Sequence, residues 1–178
     1  VSVFSRSLIA GAAGLALVGL AACSNGNRSD GDTQKTSTSP APERALASFD
    51  PCTFFKADEL TSWGLPTQSE TFSPLSFEPG CRWEGKEMSL TLQKNADETV
   101  ASYRENGSWD FYNDKTFGGR TGALAAEAGV SGTGGCTVLV DAGGGVAIYM
   151  VSGAMQDSVD ACAEAEKIAN QTASRFPK

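Results

Sequence analysis

The chain has 178 residues, 40% of them hydrophobic and 20% charged, with 14 Lys and Arg against 21 Asp and Glu. That composition belongs to the globular class, and the lack of any basic block argues against nucleic acid or anionic lipid as an electrostatic partner. Histidine is absent, which removes the commonest general base, the commonest zinc ligand and the usual pH switch together.

Residues 1–22 carry one charge, Arg6, followed by a 15-residue uncharged stretch from Leu8 to Ala22. A membrane-spanning helix needs roughly 20 strongly apolar residues, and this stretch is shorter and rich in Gly and Ala. Its proportions are those of a secretory signal with small residues at the cleavage side; the competing reading is an uncleaved anchor helix. Leu20-Ala21-Ala22-Cys23 closes it. Leu, two small residues and Cys form the pattern of a bacterial lipobox, in which the Cys becomes the lipid-bearing first residue. The expectation is a removed signal peptide over 1–22 and a diacylglyceryl and acyl anchor, of the palmitate class, on Cys23. The protein would then sit on the extracytoplasmic face of the cell membrane. Residues 23–178 hold 13 basic and 21 acidic side chains, net -8, so attachment would come from acyl chains and not from charge.

From Ser24 to Ala47 the composition turns to Ser, Thr, Asn, Asp, Gly and Pro, with almost nothing to bury. Such a segment cannot offset its ordering entropy, so 23–47 reads as a lipidated Cys with a flexible linker, whose reach is roughly 25–30 Å. That leaves 48–178 as a single domain. Asp50 suits an N-cap and Pro51 a first helical position. Phe54, Phe55, Leu60 and Trp63 recur at near-helical spacing up to Gly64, predicting one short helix or two joined near Lys56. Beyond Gly64, Pro66, Pro74 and Pro79 divide the chain into loop and extended pieces.

Gly80–Glu84 and Met88–Gln93 read as a hairpin turning at Gly85-Lys86, with Met88, Leu90 and Leu92 on a buried face and Ser89, Thr91 and Gln93 on the other. Asp97 to Asn106 reads as a helix with Val100 and Tyr103 inward, ended by Gly107, and Trp109 to Gly119 as a loop. Gly122–Ala128 stays open between strand and helix: its alanines favour helix, its brevity and flanking glycines favour strand. Cys136–Asp141 and Val146–Val151 are almost wholly apolar and should be central strands covered on both faces. The last helix is the clearest. Asp157 is the expected cap, Cys162, Ala165, Ala169, Thr172 and Phe176 make an inward stripe, and Arg175 complements the macrodipole before Pro177 stops it. The expected fold is α+β: an antiparallel sheet of about five strands packed against an N-terminal helix and a long C-terminal helix, with two disulfides.

Those disulfides are inferred from four further cysteines, Cys52, Cys81, Cys136 and Cys162. An even number outside the cytoplasm implies two bridges, with three pairings open. The sequential one, Cys52–Cys81 and Cys136–Cys162, is the expectation; each would close a loop of under 30 residues. No pair has metal-ligand spacing and no Cys-x-x-Cys occurs, so neither zinc nor a redox site is expected.

Phe49-Asp50-Pro51-Cys52, Cys81-Arg82-Trp83, a glycine-preceded Cys136, Cys162-Ala163-Glu164-Ala165 and a late Phe176-Pro177 come in an order and spacing that resembles the domain-of-unknown-function family 3558, small lipoproteins of high-GC Gram-positive bacteria. The resemblance covers about residues 48–178 plus the lipobox. It implies a cell-envelope lipoprotein with an α+β domain, and no activity.

Site candidates are few. Trp109, Phe111 and Tyr112, flanked by Gly107 and Gly118, would form an interaction surface if exposed; folded inward they would cap a satellite core. Gly118-Gly119-Arg120-Thr121-Gly122 has the look of a phosphate cradle but lacks a Lys-Ser/Thr ending, and turn glycines explain it better. No catalytic residue, metal or cofactor is assigned. The function expected is a non-enzymatic extracytoplasmic binding domain for an envelope protein, glycan or lipid. Two alternatives stand beside it: a small envelope enzyme or enzyme inhibitor working through Glu84, Glu127 and Asp141, and a lipid carrier with an apolar cavity.

Overall fold

Seven strands form one antiparallel sheet in the computed structural model, which describes residues 45–130, 132 and 134–178. The expected signal peptide over 1–22, Cys23, and the linker as far as residue 44 lie outside the described residues. The strands are β1 (Glu70–Phe72), β2 (Gly80–Glu84), β3 (Met88–Asn95), β4 (Trp109–Phe117), β5 (Arg120–Glu127), β6 (Gly135–Asp141) and β7 (Val146–Gly153), and their order across the sheet is β1-β2-β3-β7-β6-β5-β4. Three helices accompany them: α1 (Ala57–Ser62), α2 (Val100–Asn106) and α3 (Ala161–Thr172). The α+β class and the antiparallel sheet stand; the count of about five strands is corrected to seven.

One additional strand, β1, lies in the proline-divided segment. The other, β4, takes the place of the expected loop. Its periodicity is broken by a bulge between Trp109 and Phe111, and three of its residues are Asn or Asp, which local propensity counts against strand. Gly118-Gly119 is its hairpin turn into β5, with φ of 56° and 82°, the pair of positive angles that a two-residue hairpin demands. That settles Gly122 to Glu127 as strand, with Ala128 in the turn that follows. Gly122 is required there: a Cβ would lie 2.4 Å from the Leu139 carbonyl oxygen and 2.8 Å from the Phe117 ring.

The larger core lies on the face under α3. Trp83, Leu90, Leu92, Tyr149, Val151, Val138 and Leu124 project from five strands towards Ala165, Ile168, Ala169 and Phe176. Phe54 stacks on Phe176 at 4.5 Å, and the Phe55 ring meets Trp83 edge-on at 5.1 Å. Both bridges clamp this side. Cys52–Cys81 ties the 3-10 turn Pro51–Thr53 to β2, and Cys136–Cys162 ties β6 to α3, with Cα separations of 5.1 and 5.0 Å. Each loop closure stabilises by roughly 3–4 kcal/mol in the chain-entropy picture.

The ends of the domain sharpen the expectation. Leu46 is fully buried, so the packed domain begins before residue 48; the Lys94 ammonium holds that entry by donating to the carbonyls of Ala47 and Phe49. The N-terminal helix is a 3-10 turn capped by Asp50 followed by the six-residue α1, the two-piece form. Asp160, not Asp157, caps α3, accepting from the Ala163 N–H at 3.0 Å. The preceding residues are held in a turn by Ser158, whose hydroxyl donates to the Glu87 and Met155 carbonyls. Arg175 falls in a 3-10 turn after the helix and makes a two-pronged ion pair with Glu59 at 3.0 and 3.1 Å.

Candidate functional site

The second face of the sheet is covered by α2 and by the turn that joins β1 to β2. Thr99 caps α2, accepting from the Ser102 N–H at 3.1 Å while the Ser102 hydroxyl accepts from the Thr99 N–H at 2.8 Å. This seats Val100 and Tyr103 against Leu139, Val146 and Ile148, a cluster of its own. Beside it β3 turns polar side chains inward: Thr91, Gln93 and Asn95 are all buried. Sequence alternation assigns that face to water. It is covered because β3 lies third in the sheet, beneath the β1–β2 turn.

Here a polar network forms. The Tyr103 hydroxyl donates to Glu78 Oε1 and accepts from the Asn95 amide at 3.0 Å, and the same amide reaches Glu78 Oε1 at 3.4 Å. Burial, reinforced by the bond to Glu78, pushes the Tyr103 phenol well above its ordinary range. The turn carrying Glu78 is fixed at several points. Gln93 donates to the Glu78 carbonyl at 2.7 Å, the Glu78 N–H bonds the Leu75 carbonyl at 3.0 Å, and Lys94 N–H bonds the Pro79 carbonyl at 3.1 Å. On this held backbone the Phe77 ring stands 55% exposed. Phe77, Glu78, Asn95, Glu98, Ser102 and Tyr103 line a groove of about 260 Å³. A wider hollow of about 440 Å³ adjoins it across Glu98, walled by Asp97, Thr99, Asp141 and Gly144.

Sequence reasoning does not pick out Phe77, Glu78, Asn95 and Tyr103 as a site. They lie on three separate elements, and the one available signal is an aromatic residue inside a Ser- and Pro-rich turn.

Trp109, Phe111 and Tyr112 do not make one surface. The bulge turns Trp109 and Tyr112 to the α2 side, where their rings meet at 5.3 Å, and Phe111 to the α3 side. Trp109 donates from its indole to the Tyr103 carbonyl at 2.8 Å, and Tyr112 from its hydroxyl to the Val100 carbonyl at 2.6 Å. Both thus hold α2 in place. Gly118-Gly119 is a hairpin turn and no phosphate cradle, and Arg120 beside it donates to the backbone carbonyls of Asp141, Phe176 and Pro177.

The three carboxylates considered for chemistry stay apart. Glu84 ends β2 and pairs with Arg82 at 2.9 Å. Glu127 ends β5, four strand spacings away, or roughly 19 Å at normal strand separation. Asp141 lies at the opposite end of the sheet, accepting from the Gly143 N–H at 3.1 Å. Among the described residues no group of three His, Cys, Asp or Glu side chains could hold a metal ion, and no helix is long and apolar enough to cross a membrane.

Set against known proteins, residues 18–175 match the family described as "Protein of unknown function (DUF3558)". No curated protein and no solved structure matches the chain.

Proposed function

Because the chain belongs to the DUF3558 family, whose description names no activity, we propose a function from its own residues: a cell-envelope lipoprotein, anchored through acylated Cys23, whose domain binds a ligand outside the membrane without transforming it. The observation that carries the binding reading is Phe77, a large apolar ring left exposed on a backbone pinned by buried Gln93, above the prearranged Tyr103–Glu78–Asn95 floor. A rigid, ready-made polar floor beside one apolar anchor lowers the ordering cost of binding. The Leu20-Ala21-Ala22-Cys23 pattern supports the anchor.

The rival readings draw less support. Acid–base work on one substrate needs two groups within reach of the same reacting atoms, and Glu84, Glu127 and Asp141 are dispersed over two ends of the sheet. A lipid carrier needs an apolar cavity, whereas the space between sheet and α3 is occupied by Tyr149, Phe55, Trp83 and Phe176, all under 8% exposed. Replacing the lipid-bearing residue tests the anchor: Cys23→Ala should move the protein from the membrane fraction to the soluble fraction. Unchanged membrane attachment of that variant would refute the acyl anchor.

A further inference from the structure

We infer that the groove between the Phe77 turn and α2 is a subsite for one uncharged pyranose ring of a glycan, an inference that rests on the reading of this domain as a binding module. The wall chemistry selects the ligand class. Glu78 Oε1 is taken by Tyr103 and Asn95, while its second oxygen makes no bond among the described residues. Glu98 adds a second carboxylate at the same opening, and Asn106 a side-chain amide that both donates and accepts. A ligand that satisfies such a wall must bring hydrogen-bond donors. It must also present an apolar face to Phe77, because a ring 55% exposed on a fixed turn is an uncovered anchor.

A pyranose ring has both properties: hydroxyl groups around its rim and a flat face of C–H bonds. Anionic ligands are disfavoured, since the two carboxylates of Glu78 and Glu98 flank the groove and no basic side chain lines it. A fatty acyl chain would cover Phe77 but strip water from the Glu78 and Glu98 carboxylates without offering them a donor. The size agrees too, because about 260 Å³ holds one ring and not an extended oligosaccharide.

The test is calorimetric titration of the purified full chain, in a detergent without a sugar headgroup, with triacetylchitotriose and with maltotriose. Saturable binding of either is expected, weakened at least about tenfold by Phe77→Ala and kept within about threefold by Phe77→Tyr, which restores a ring. Because Phe77 is exposed, both variants should fold as the parent does. The inference is overturned if neither trisaccharide binds, if Phe77→Ala binds as well as the parent, or if lysine amide or inorganic phosphate saturates the groove where the trisaccharides do not. Such a failure would leave the Cys23→Ala fractionation result, and with it the anchored-lipoprotein reading, untouched.

Discussion

Trp83 and Tyr103 sit on opposite faces of one sheet and show how differently the two faces are built. On the α3 side, Trp83 is 1% exposed among Phe55, Leu90, Tyr149 and Val151, and two disulfides close over the same layer. On the α2 side the apolar cluster is built, among the described residues, on the buried Leu139, Val146 and Ile148, and the space beside it is filled by Gln93, Asn95, Tyr103 and Glu78 bonded to one another. Apolar burial is non-directional and tolerates any shape that fills space. A hydrogen-bonded floor is directional, holds its groups in one arrangement and leaves them addressed to whatever enters. Apolar burial is concentrated on the first face, and the polar groove opens on the second.

The largest effect should come from the α3 side. Trp83→Ala removes a ring from a filled layer and is expected to cost about 3–5 kcal/mol of folding stability, read by urea denaturation. A loss below about 1 kcal/mol would mean that this layer is not the main source of stability. The α2 side should be far more forgiving: Tyr103→Phe deletes one hydroxyl and is expected to cost about 1 kcal/mol, while loosening the Glu78 carboxylate and so weakening any groove ligand. If this variant proved as damaging as Trp83→Ala, the division between the faces would fall.

The smallest and most diagnostic effect is alkaline titration of the tyrosines, one on the α3 side and two on the α2 side. Burial raises all three. In Tyr112 the raising by burial is opposed by nearby Arg104 and aided by Asp114, and its phenol is pushed up to about 12. Tyr149, bonded to the Thr172 hydroxyl at 2.8 Å in the large core, lies higher, as does Tyr103. Folded phenols raised above their unfolded range contribute stability below pH of about 10 that is lost as pH climbs through the folded values. Phenolate absorbance should therefore appear near pH 10 in urea-unfolded protein, but not until about pH 12 in folded protein, with Tyr112 ionising first. A Tyr149 signal near pH 10 in folded protein would contradict its burial.

Much of the α3 face is legible in the sequence. Of the expected stripe, Ala165, Ala169 and Thr172 on α3 and Phe176 beyond it are buried while Cys162 is partly buried, and the nearly continuous apolar runs of β6 and β7 are central and covered on both sides. The sequential pairing of the cysteines is the one that forms. The α2 face is not legible in the same way. Thr91, Gln93 and Asn95 are polar and alternate with leucines, so periodicity sends them to solvent, and nothing local reveals that Gln93 and Asn95 meet partners 15 and 17 residues away in Glu78. Strand β4 is hidden by the bulge that shifts its alternation between Trp109 and Phe111.

What the chain determined on its own was whatever depends on neighbours near in sequence. The capping Asp50, the hairpin over 80–93, the α3 stripe, the even cysteine count and the family motifs are read from residue type and spacing, because their physics is short-range. What the tertiary structure alone decided was which polar side chains are inside and what they face: Glu78, Asn95 and Tyr103 gather into one floor, Glu84, Glu127 and Asp141 are scattered, and Trp109, Phe111 and Tyr112 are split between two faces. A side chain's cost of leaving water is written in its type, but the partner that offsets that cost lies on another element, and only the packed sheet brings the two within hydrogen-bonding distance.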